Sequence, residues 1–145
     1  MLGYPPVKCV NENNLDSLIS ELVQNEYSIY QLNGEEIYDL KTFYNQCIEI
    51  LPQNPPLTKG SSVNLDAFMD SIWEGISEQE SDKIAIIWTK TENIAKHNLS
   101  DLLKITQIFY DISTTLNKDY GLDRTINFLI FLVITERNFA DISGK

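Results

Sequence analysis

Basic side chains and histidine are scarce in this chain. Eleven Lys and Arg stand against twenty-one Asp and Glu, a formal net charge of −10 with a pI near 4.4. Nucleic acid and anionic membranes repel such a chain, so neither is expected as a direct partner. The single histidine, His97, has no Ser or Cys in a motif that would make it a triad member, and reads as a surface or helix-end residue. Cys9 and Cys47 are too few for a disulfide framework and have no metal-ligand spacing, which points to a reducing cytoplasm. The glycines, among them Gly34, Gly60, Gly75 and Gly121, form no phosphate-binding motif. No cofactor is implied. The longest apolar run, Phe128–Ile134, falls far short of a membrane span, and the N-terminus lacks the basic-then-apolar order of a signal peptide.

What is present fits one domain able to bury a real core: 145 residues, 43% hydrophobic and 22% charged. Its most distinctive stretch is Ser61–Asp82, with Asp66, Asp70, Glu74, Glu78, Glu80 and Asp82 and no Lys or Arg. The first four of these acids are four residues apart, so a helix stacks them along one face. Leu65, Phe68, Met69, Ile72 and Ile76 recur at three- and four-residue steps on the other side, as a core stripe does. Asn64 is placed to cap this helix, and Asp66 in its first turn suits the helix dipole. Asp70, Glu74 and Glu78 have no such excuse, since like charges four apart cost about 0.2–0.5 kcal/mol per pair. The row is either a solvated face or a surface kept for a cationic partner. Trp73, at the border between acids and apolar stripe, reads as an interface anchor or as a core-edge residue.

Along the rest of the chain, Met1–Val10 carries the turn signal Tyr4-Pro5-Pro6 and gives no clear element. Leu15, Leu18, Ile19, Leu22 and Val23 follow helical spacing, with Asn13 or Asn14 as cap. Tyr27–Leu32 alternates as a strand, and Asn33-Gly34 turns the chain. Asp39 caps a helix over Leu40–Leu51, ended by Pro52, and Pro52–Gly60 is a loop. After the acidic helix, the nearly all-apolar Lys83–Trp88 reads as a strand covered on both faces. Thr91–Asn98 is a short helix. Ser100 caps a longer one that turns Leu102, Ile105, Phe109, Ile112 and Leu116 to the core and leaves Asp111 exposed. Tyr120-Gly121 turns the chain into a third strand, Thr125–Val133, and Thr135–Lys145 reads as a polar, frayed tail. Strands separated by helices predict an α/β fold with a small three-stranded parallel sheet and right-handed crossovers. The main unit is 27–134, preceded by an extension, 1–26, with its short helix, and followed by the tail, 135–145.

This order of elements resembles the barstar family of ribonuclease inhibitors. Tyr30-Gln31-Leu32-Asn33-Gly34-Glu35-Glu36-Ile37 looks like the family's first strand and turn, and Asp39-Leu40 like its helix start. Asn64-Leu65-Asp66-Ala67-Phe68-Met69-Asp70 is similar to the signature that opens the inhibitory helix. Lys83–Trp88 resembles the second strand with its closing Trp, and Ile108-Phe109-Tyr110-Asp111 the helix before the last strand, with Asp111 where the family has Glu. The resemblance runs from Tyr27 to Val133. It implies that Asp66 and Asp70 enter a nuclease active site and pair with its cations, with Asp111 as a third contact. Asn64, Met69, Trp73 and Glu74, which neighbour these acids on the same helix, are expected to belong to the partner-binding face as well.

The chain departs from that pattern at Met69, where the family usually has Trp, and in Pro52–Gly60, which lacks the family's tyrosines. Glu74 and Glu78 lengthen the acid row, and residues 1–26 have no counterpart. A cleft that holds phosphate must be positive, so a rigid row of carboxylates mimics its ligand. The expectation is a non-enzymatic, cytoplasmic, monomeric inhibitor of a basic nuclease toxin, acting one to one. Its alternative is an interaction module of the same fold for another basic protein. A divalent-ion site at Asp66 and Asp70 is disfavoured, because a helix supplies no looped carbonyl ligands. A glycosidase-like pair would need an apolar pocket that exposed carboxylates lack.

Overall fold

The computed structural model describes residues 6–59, 63–117 and 124–135. In chain order they form β1 (Val7–Asn11), α1 (Leu15–Gln24), β2 (Ser28–Asn33), α2 (Leu40–Ile50), α3 (Leu65–Ser77), β3 (Lys83–Thr89), α4 (Glu92–His97), α5 (Leu99–Asn117) and β4 (Asn127–Ile134). The strands pair in parallel in the order β1-β4-β3-β2. The sheet therefore has four strands, not three. The extra one lies in the stretch that gave no clear sequence signal, and β1 sets Val7 opposite Ile130 and Val10 opposite Val133. Pro6 suits its start: the ring removes a donor, but the carbonyl accepts from the Ile130 amide at 2.8 Å.

Strand order decides which face each helix covers. The chain steps from β2 to β3 to β4 in one direction across the sheet, so right-handed crossovers put α2 to α5 on one face. The step from β1 to β2 runs the opposite way and puts α1 on the other. The core divides accordingly. Leu32, Ile84, Ile86, Trp88, Phe128, Ile130 and Leu132 meet α2, α3 and α5, while Ala85, Ile87, Phe131 and Val133 meet Leu18 and Leu22 of α1. This split explains the unbroken apolar run of β3, which needs hydrophobic side chains on both faces.

Local chemistry sets the helix ends. Asp39 accepts from the Thr42 amide at 2.9 Å, and Thr42 Oγ1 accepts in return from the Asp39 amide at 3.1 Å, a reciprocal cap for α2. Asn98, not Ser100, caps α5: its side chain accepts from the Asp101 amide at 3.1 Å and its carbonyl from the Leu102 amide at 3.2 Å. Ser100 is already inside the helix. Glu26 takes a positive φ of 65° after α1, and the Tyr27 amide returns to the Leu22 carbonyl at 2.9 Å, so the chain reverses with buried Tyr27 seated by Leu22. Gly34 is fixed by crowding, since a Cβ there would lie 1.9 Å from the Thr89 carbonyl oxygen. β4 begins at Asn127, two residues later than the sequence suggested. Tyr120-Gly121 and the tail from residue 136 lie outside the described residues.

Under α3 sits an aromatic cluster. Phe43 of α2 stacks on Trp88 at 5.3 Å between centroids and meets Phe68 of α3 at 5.7 Å and Phe109 of α5 at 5.6 Å. One ring thus ties α3, α5 and the sheet together, which holds the acidic helix at a fixed height above β3.

Candidate partner-binding site

Asn64 caps α3 as its position implied, accepting from the Ala67 amide at 3.1 Å. Phe68, Ile72 and Ile76 are buried beneath the helix, and Leu65, Met69 and Trp73 are half-buried along its flank. The opposite side carries Asp66, Asp70, Glu74 and Glu78, all exposed. Two of the chain's cations are paired away from this row: Lys59 with Glu49, and Lys90 with Glu35 at 3.5 Å. Among the described residues no Lys or Arg reaches Asp66, Asp70 or Glu74. A row of like charges with no internal compensation gains no stability from its own fold.

Two contacts relieve the far end of the row. Glu78 accepts from Asn54 Nδ2 at 2.7 Å. Arg124 donates to the backbone carbonyls of Ser77 and Glu80 at 3.0 Å each, and also to that of Gln79. It thereby places a guanidinium at the negative end of the α3 dipole. Neither contact touches Asp66 or Asp70.

Asp111 is half-buried on α5 rather than exposed, because α3 packs beside it, and it accepts from Gln107 Nε2 at 2.9 Å. The packing brings together residues far apart in sequence. Met69, Asp70 and Trp73 of α3 and Asp111, Ile112 and Thr115 of α5 line one groove of about 310 Å³, mainly apolar with a carboxylate from each helix. A second depression of about 480 Å³ lies on the loop side of α3, lined by Asn54, Pro55, Asp70, Trp73 and Glu74. Asp70 and Trp73 belong to both. Asp66 and Asn64, one turn or more toward the N-terminus, line neither.

The lining residues that sequence reading did not single out are Asn54, Pro55 and Thr115, with Ile112 read only as core. Thr115 could have been found, since it stands four residues after Asp111 on the same helix face. Asn54 and Pro55 could not, because only tertiary contact sets the loop against α3. His97 is exposed at the end of α4, its Nδ1 2.8 Å from the Asn93 carbonyl oxygen. Among the described residues no three His, Cys, Asp or Glu are grouped to hold a metal ion, and no helix is long and apolar enough to cross a membrane.

Comparison with curated proteins and with solved structures finds no match. A family model does match, Barstar (barnase inhibitor), over residues 27–133. That span contains β2 to β4 apart from its last residue, the acidic helix and both depressions, and leaves out β1 and α1. The chain belongs to the barstar family.

Proposed function

We propose that this protein is a stoichiometric inhibitor of a basic nuclease, a ribonuclease above all, that serves as an immunity protein or antitoxin. The exposed row Asp66, Asp70 and Glu74, uncompensated by any cation among the described residues, carries this reading. Asp66 and Asp70 enter the cleft that normally holds the phosphates of the substrate. Asp111 pairs with a cation that lies along the apolar floor of the α3–α5 groove. Met69 and Trp73 supply the buried contact area, while Asn64 keeps the first turn of α3 in place. Family membership supports the same partner chemistry. A net charge of −10 steers the chain toward a basic protein, so association is fast at low salt and slows as salt is added.

The test is titration of barnase and a panel of other basic ribonucleases with the purified chain, reading RNA cleavage. The expected result is cleavage by at least one falling linearly to zero at an equimolar ratio. Asp70→Ala weakens that inhibition most, by at least tenfold, and Asp66→Ala and Asp111→Ala less, because of these three acids only Asp70 lines both depressions. Cleavage unchanged across the panel at a hundredfold excess of chain, or inhibition indifferent to all three substitutions, would overturn the reading.

A further inference from the structure

The depression on the loop side of α3 is a feature of this chain's own loop. The segment 53–57 runs back along the helix and is fastened to it at three points. The Asn54 amide donates to the Ser71 carbonyl at 3.0 Å, Ser71 Oγ donates to the Pro55 carbonyl at 2.6 Å, and Asn54 Nδ2 reaches Glu78 at 2.7 Å. Gln53 Oε1 accepts from the Leu57 amide at 2.7 Å, which closes the loop on itself. Gly75 lets the loop backbone lie directly on the helix. The wall is therefore formed before any partner arrives, and ordering it adds no further cost on binding.

Its chemistry is specific. Asp70 and Glu74, one helical turn apart, present two carboxylates, Trp73 presents an indole between them in sequence, and no Lys or Arg is among the lining residues. A planar guanidinium can stack on an indole while donating to two carboxylates, whereas an ammonium offers one compact charge. The depression adjoins the α3–α5 groove through Asp70 and Trp73, so it continues the same face.

We propose that this depression receives an arginine side chain of the nuclease partner, stacked on Trp73 and bonded to Asp70 and Glu74, and that the 53–57 loop thereby selects which nuclease is bound. The inference rests on the inhibitor reading but adds a second cation to it, one that the Asp70–Asp111 groove does not accommodate. Glu78, held by Asn54, positions the wall instead of meeting the partner.

The test is an NMR titration of the isotope-labelled chain with N-acetyl-arginine amide, with N-acetyl-citrulline amide as the uncharged counterpart. The arginine amide is expected to shift the Trp73 indole, the Asn54 side-chain amide and the Glu74 amide together and saturably, and citrulline to leave them in place. Glu74→Gln is expected to weaken that affinity about threefold, and Gly75→Ala, which moves the wall, to abolish the Asn54 response while the Thr115 amide behaves as in the parent chain. Shifts confined to Ile112 and Thr115 would overturn the second cation site and leave the inhibitor reading standing. Equal shifts with citrulline would also overturn it, since charge would then play no part. Silence at Asn54 and Glu74 alongside stoichiometric nuclease inhibition would do the same. Failed inhibition of every nuclease would instead strike the broader reading.

Discussion

Gly75 of α3 lies against the backbone of Gln53: a Cβ at that glycine would stand 2.3 Å from the Gln53 amide nitrogen and 2.4 Å from the Pro52 carbonyl carbon. A glycine inside a helix costs about 1 kcal/mol relative to alanine. Here the close approach of the loop explains it. Both colliding atoms are backbone, so neither can swing aside as a side chain would. Gly75→Ala gains the helix term but must push the loop away, at about 1–3 kcal/mol, and strains the bonds between Asn54, Pro55 and Ser71 as well. The expected net result is a folded protein with a lower melting temperature and faster amide exchange at Asn54. A variant as stable as the parent, with Asn54 equally protected, would show that the loop is not held there.

The acid row sets stability against binding. Glu74 has an acid four residues away on each side, Asp70 and Glu78, and no intrachain cation among the described residues. Glu74→Gln removes two like-charge neighbours, each worth about 0.2–0.5 kcal/mol, and is expected to raise stability by up to about 1 kcal/mol at low ionic strength. The gain should shrink as salt screens the row. Urea denaturation at two salt concentrations checks this. A variant no more stable at low salt would mean that the row is already neutralised by contacts of another kind.

Much of this architecture was legible before any coordinates. The acid row and its apolar underside could be read because both follow from the period of one helix, and the Asn64 and Asp39 caps because capping is local in sequence. The division of β3 between two covered faces was legible in Lys83–Trp88 for the same reason. Three features were not. β1 is five residues long, too short for a periodic signal, and is a strand because β4 offers an edge. Ser100 competed with Asn98 as a cap, and the winner depended on where α4 ended. The burial of Asp111 depends on how closely α3 approaches α5, which no spacing within α5 can reveal.

The first strand carries a consequence of its own. β1 closes the edge of β4, whose Phe128–Ile134 segment is the longest apolar run of the chain. Removing residues 1–11 leaves that edge open and withdraws the half-buried Val7 and Val10, a loss of about 2 kcal/mol or more. An open apolar edge also invites pairing between copies. The expected outcome is a lower melting temperature with concentration-dependent light scattering, while the matched segment 27–133 still holds α3 in place. A truncated chain that melts at the same temperature and stays monodisperse would show that β1 contributes neither protection nor stability.

The two cysteines should behave in opposite ways. Cys9 is exposed on β1 and Cys47 fully buried in α2, where desolvation pushes its thiol well above the ordinary range. An alkylating reagent at neutral pH is expected to modify one thiol in the native protein and the second only after denaturation. The sign of the pH effect follows from the same burial. An unfolded thiol loses its proton near pH 8.5 or so, whereas folded Cys47 keeps it to higher pH. The contribution is therefore complete below about pH 8 and is lost as pH rises through the gap between the two values, at about 1.4 kcal/mol per pH unit once the unfolded thiol is ionised. Tyr30, raised by the same cause, adds loss of the same sign at higher pH. Urea midpoints at pH 7.5, 9 and 10 test this against Cys47→Ala, which sits lower throughout because it leaves a cavity but should fall less steeply above pH 9. Parallel slopes for the two proteins would show that Cys47 does not hold its proton beyond the unfolded chain, and that its surroundings are wetter than its complete burial implies.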